Sequence, residues 1–151
     1  MFGFIFYVGG CFIASGLITF LWMTMKPIAN RNDMHSLRNM SILFVLLLGG
    51  PYAYTEYLTS AHGDEMHDAI LKGFEESEID GEIVYYKVLS VSGDRARAIA
   101  VGLEQETWGG TDRPIVAVTL ERTTGEWEPS SFYVVYSDRL GRENYTFPPF
   151  R

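Results

Sequence analysis

FGFIFYVGGCFIASGLITFLWMTM, from Phe2 to Met25, contains no charged side chain. At 1.5 Å of rise per residue, a helix over that stretch is about 36 Å long, more than the roughly 30 Å of hydrocarbon in a bilayer. The stretch therefore reads as a transmembrane helix. A second apolar stretch, Ser41 to Leu58, follows a short polar connection, and acidic, strand-like sequence makes up the rest of the chain. The layout predicts an α+β protein: a two-helix transmembrane hairpin over residues 1–60, with helices at about 2–25 and 40–58 and a loop over 26–39. Residues 61–151 then form one small domain, a helix packed on a four- or five-stranded antiparallel sheet, with an extended C-terminal tail.

Charge gives the hairpin a direction. Between the two apolar stretches Lys26, Arg31 and Arg38 outnumber Asp33, and short cationic loops stay in the cytoplasm. Loop 26–39 is thus expected on the cytoplasmic side. An even number of crossings puts the C-terminal domain outside, which in a bacterial inner membrane means the periplasm. The acidic exit after the second stretch (Glu56, Asp64, Glu65, Asp68) suits that placement. The whole chain carries a net charge of −7, with the acid concentrated after Ser60, which disfavours nucleic acid and anionic lipid as partners of the domain. The first stretch lacks the basic start of a secretory signal and exceeds the usual length of its apolar core. Cys11 is the only cysteine, so no internal disulfide staples the fold.

Within the first helix Gly10 and Ala14 lie four residues apart, as do Cys11 and Ser15, a spacing that lets another helix approach closely. Two uses of this face stand side by side: packing on the second helix, or contact with another integral membrane subunit. The second stretch is less regular. Its purely apolar part, Ile42 to Leu48, is followed by Gly49-Gly50-Pro51 and then by Tyr52, Tyr54 and Tyr57. Proline there removes a backbone donor and predicts a kink or break, and the tyrosines read as an interfacial belt.

Asp64 is placed to cap an amphipathic helix over Gly63–Ser77, on which Met66, Ile70 and Phe74 recur every fourth residue. From Ile83 the period changes to two, giving strands over Ile83–Val91, Arg95–Glu106, Pro114–Arg122, Glu126–Ser137 and Glu143–Phe147. Short turns such as Ser92-Gly93-Asp94 and Thr123-Thr124-Gly125 imply antiparallel neighbours. In the second strand Ala96, Ala98 and Ala100 share one face and Ile99, Val101 and Leu103 the other. Either face suits the helix.

Val116 to Trp127, Val-Ala-Val-Thr-Leu-Glu-Arg-Thr-Thr-Gly-Glu-Trp, resembles a recurrent hairpin of the cystatin-like and NTF2-like α+β domains: an apolar strand ending in Arg, a Gly turn, and Trp opening the next strand. The strand from Arg95 is similar to that pattern, and the resemblance spans roughly residues 64–147. The extra helices of an NTF2-like cone are missing, which leaves the one-helix cystatin-like version. The resemblance implies an assembly or accessory role for a membrane-anchored domain of this kind.

Catalytic chemistry has no foothold in the motifs. His62 and His67 are five apart rather than the four that align on a helix face, and there is no Gly-rich phosphate loop or nucleophile elbow. No enzyme activity, metal or cofactor is expected, and a small-molecule ligand is disfavoured. Partner contacts are expected at Gly10, Cys11, Ala14 and Ser15 in the membrane, and at Trp108, Phe147 and Phe150, aromatics at a loop tip and in the tail. These residues predict a non-catalytic accessory subunit of a larger membrane complex, such as a respiratory or photosynthetic electron-transfer assembly. The other reading is a free-standing membrane-anchored periplasmic binding, sensor or inhibitor module.

Overall fold

The second apolar stretch does not stop at its Gly-Gly-Pro. In the computed structural model, which describes residues 2–25, 35–105 and 110–150, α1 runs Phe2–Met25 and α2 is one 40-residue helix, Ser36–Glu75. Of the kink or break expected at Pro51, the break is corrected, as is the separate helix from Gly63: the helix passes through Pro51 and Gly63. Pro51 has no N–H for the carbonyl four residues back, Leu47. The Tyr7 hydroxyl of α1 takes over, lying 3.0 Å from Leu47 O and 2.8 Å from Leu48 O in a forked donation. A carbonyl that would be costly to leave bare in apolar surroundings is thereby partnered. At Gly63 a Cβ would lie 3.3 Å from the Tyr86 ring, so an aromatic neighbour fills the side of the helix that lacks a side chain.

Glu82–Ser92 (β1), Arg95–Gln105 (β2), Thr111–Asp112 (β3), Ile115–Thr123 (β4), Glu126–Ser137 (β5) and Arg142–Glu143 (β6) form a six-stranded antiparallel sheet of order β1-β2-β4-β5-β6, with β3 beside β2 off this path. The five-strand path matches the expected number, and β3 is an unforeseen two-residue addition. The last strand is corrected from Glu143–Phe147 to Arg142–Glu143. Its pairing ends one step later, with Asn144 N on Val135 O at 2.9 Å, and the prolines at 148 and 149 offer no donors to extend it. Thr124 (φ 54°) and Gly125 (φ 96°) make the two-residue β4–β5 turn with both central residues at positive φ, as a type I′ hairpin requires.

The chain packs as two units, one of residues up to Ala53 with those from Phe147 onward, the other Tyr54–Thr146. In the second unit the later part of α2 covers the alanine face of the sheet. Met66, Ile70 and Phe74 are buried against Ala96, Ala98, Ala100, Val116, Val118 and Leu120. Two glycines set the approach. A Cβ on Gly73 would sit 2.5 Å from Val118 Cγ1, and one on Gly102 would sit 2.6 Å from Phe74 Cζ. Small residues on both surfaces let the helix lie close to the sheet, and the buried apolar area, at about 25 cal/mol per Å², supplies the driving force. Trp127 is buried, with Arg122 5.1 Å above its ring.

α2 ends with Ser77 Oγ donating to Phe74 O at 2.6 Å and Glu78 in the left-handed region, φ 61°. A residue with a Cβ pays about 1–2 kcal/mol for that conformation and glycine does not. Glu78→Gly is expected to raise the stability of the sheet unit by about 0.5–1 kcal/mol, after the loss of chain entropy is counted. A urea midpoint that moves upward with unchanged slope checks it, and a lower midpoint would show that the Glu78 side chain contributes a contact of its own.

Candidate partner-contact site

α1 is inside out relative to a helix made for water. Cys11 and Ser15 are buried with Thr19, on the row that begins with Tyr7 and meets α2. Both hydroxyls are satisfied locally: Ser15 Oγ donates to Phe12 O and Thr19 Oγ1 to Ser15 O, each at 2.8 Å. The opposite surface presents Ile5, Phe6, Ile13, Leu17 and Phe20, Phe6 at 77% exposure. The rings of Phe12 and Phe44 meet edge to face at 6.0 Å. Contacts from Tyr7 to Leu47 and from Phe12 to Phe44 run the two helices antiparallel.

The small-residue stripe is therefore divided. Cys11 and Ser15 turn inward, while Gly10 is exposed and Ala14 half-buried. A Cβ on Gly9, Gly10 or Gly16 would meet nothing within 4 Å, so α2 does not press on these glycines. Among the described residues one helix, Gly3–Met25, is long and apolar enough to cross a membrane, with a mean hydropathy of 2.0. The second crossing expected at 40–58 is not matched by a second such span. Seven apolar residues, Ile42 to Leu48, give way to Gly49-Gly50-Pro51 and the tyrosines.

Phe147 touches the Tyr7 ring at 5.8 Å yet remains 69% exposed, and Phe150 lies against Tyr52 at 5.7 Å. Trp108 lies outside the described residues. Of the histidines, His67 meets the Tyr86 ring at 5.6 Å with the planes tilted by 51°, and no group of three metal-binding side chains gathers among the described residues. The Tyr86 phenol is pushed above its usual range, first by burial and then by the Asp64 carboxylate. Its neutral form is favoured in the fold, so its contribution to stability is present below about pH 10 and is lost as the pH rises through the higher folded value.

Sequence reasoning missed a polar cluster at one end of the sheet. Glu104 is buried, its Oε1 2.8 Å from Arg139 Nε and its Oε2 without a hydrogen bond. Arg139 also reaches Asp80 at 3.4 Å and donates to Glu78 O, tying the segment after α2 to β2. Asp112, register partner of Glu104, is occupied by Arg113 N at 2.7 Å and Asp138 N at 2.9 Å. The signal was in the parity: Glu104 continues the series Ala96, Ala98, Ala100, Gly102 on the covered face. On the other face Ile99, Val101 and Ile115 are buried under their neighbours, while Tyr133 is half-exposed. An open cavity of about 700 Å³ is lined by Asp80, Gly81, Glu82, Ile83, Val84, Leu103 and Gln105.

The fold and surfaces define an α+β chain with, among its described residues, one apolar helix of membrane-spanning length. No protein-family model, curated protein or solved structure matches it.

Proposed function

We propose that this chain is a non-catalytic accessory subunit of a larger integral membrane complex, of which a respiratory or photosynthetic electron-transfer assembly is one kind. In this reading α1 crosses a bacterial inner membrane, the start of α2 lines it as the second arm of a hairpin, and the sheet unit is a cystatin-like domain on the periplasmic side. The observation that carries the proposal is the inverted pattern of α1, with hydroxyls and the thiol turned in and large apolar side chains turned out. Water does not stabilise such a surface, whereas lipid and neighbouring helices do. The open space beside Gly10 supports a helix from another subunit at the Gly10–Ala14 face.

Mild detergent extraction of native membranes, affinity purification of the tagged chain and mass spectrometry test this. A stoichiometric set of integral membrane proteins is expected, and Gly10→Leu combined with Ala14→Leu is expected to remove most of it while the chain stays in the membrane. Recovery of the chain alone, as a monomer or dimer, would overturn the subunit reading. The open cavity at Asp80–Val84 favours the second reading, a membrane-anchored binding or sensor module. That module would tolerate the helix substitutions and fail on changes to Leu103 or Gln105.

A further inference from the structure

Four aromatic rings form a chain that joins three segments of the helical unit. Phe147 meets Tyr7 at 5.8 Å and 76°, Tyr7 meets Tyr52 at 6.0 Å and 78°, and Tyr52 meets Phe150 at 5.7 Å and 68°. All three contacts are edge to face, the arrangement favoured by the ring quadrupole. Tyr7 belongs to α1, Tyr52 to α2, and the two phenylalanines flank Pro148 and Pro149 in the C-terminal segment. Each tyrosine hydroxyl is also spent on a carbonyl. Tyr7 serves Leu47 and Leu48, and Tyr52 donates to Pro149 O at 2.6 Å. Pro148 is buried in the same place.

We infer that Phe147–Phe150 is a clasp that locks α1 to α2 at the level of Pro51. The tail places one ring on each helix, Phe147 on Tyr7 and Phe150 on Tyr52, so the helices cannot part there without breaking tail contacts. The site is also where α2 needs outside help, because Pro51 removes the donor for Leu47 O and the replacement comes from Tyr7. Two prolines suit the tail to this task. They bring no N–H that would need a partner, leaving the Pro149 carbonyl for Tyr52. The clasp thus closes a circuit: the ring that rescues the helix backbone is itself held between Phe147 and Tyr52. This inference concerns the helices' own packing and stands whether or not the chain joins a complex.

The test uses the full chain in detergent micelles with Cys11→Ser and spin labels on cysteines at outward positions. One pair, Phe4→Cys with Ala53→Cys, reports on the clasped end, and a second, Leu21→Cys with Leu37→Cys, reports on the other; all four sites are exposed in the fold. Two changes open the clasp: Tyr52→Phe, which keeps the ring and loses the hydroxyl, and termination after Thr146. Pulsed dipolar distances at the clasped end are expected to be a single narrow distribution in the parent. They should broaden roughly twofold on termination and less with Tyr52→Phe, as a local opening does, while the far pair stays unchanged. Unchanged distances at the clasped end would overturn the inference. Equal broadening at both ends would also overturn it, because it would mean that the tail supports folding of the helices as a whole.

Discussion

Arg139→Met is expected to cost the sheet unit about 3 kcal/mol, the lower end of the range for leaving a buried charge without its partner. The lower end applies because the Arg139 side chain is 43% exposed, while that of Glu104 is 5% exposed. Removing the arginine strands the carboxylate, since its register partner Asp112 is itself an acceptor of two backbone amides and offers no donor. Glu104→Met is expected to cost less, because Arg139 keeps Asp80 and the Glu78 carbonyl and reaches water. Combining the two changes should return stability to within about 1 kcal/mol of the parent, as replacement of a buried ion pair by apolar side chains often does. Urea unfolding of the four proteins measures the coupling. An Arg139→Met cost below about 1 kcal/mol would place the pair with exposed bridges such as Arg95–Glu121, 3.0 Å apart, whose worth is of order 0–1 kcal/mol.

The cluster also shows what a single sequence conceals. Strand positions were legible because turn chemistry brackets them: Ser92-Gly93-Asp94 and Thr123-Thr124-Gly125 sit at the two-residue connections of β1–β2 and β4–β5. The partner of Glu104 was not legible, because Arg139 is brought to it only by the path from β2 through β5. The acid's burial was not legible either, because either face of this strand suited the helix, and only the structure shows that α2 covers the alanine face. Tertiary structure likewise overrode local signals in α2. Gly49-Gly50-Pro51 and Gly63 punctuate the sequence as helix ends, yet Tyr7 and Tyr86 supply from elsewhere what those residues lack. The stripe at residues 10–15 was legible as a contact face but not as a divided one. Which of Cys11, Ser15 and Gly10 turns inward depends on the rotation of α1 set by Tyr7, a contact with residues forty positions away.

Phe74→Ala is expected to be among the most damaging single changes in the sheet unit, at about 3–5 kcal/mol. The side chain is 2% exposed and lies over Gly102, where no side chain competes for the space. Truncation leaves a cavity under α2 that the helix cannot close by sinking, because Gly73 already stands against Val118. The reciprocal change, Gly102→Ala, would push a Cβ to 2.6 Å from Phe74 Cζ and is expected to cost about 1–3 kcal/mol by overpacking. The two positions occupy one space, so their effects should not add: Gly102→Ala in a Phe74→Leu background is expected to cost less than in the parent. A pair that proves additive would mean that Gly102 is needed for its backbone rather than for the ring. A smaller combined loss would establish that glycine was placed in the middle of β2 to receive Phe74, making the helix-to-sheet distance a property of those two residues.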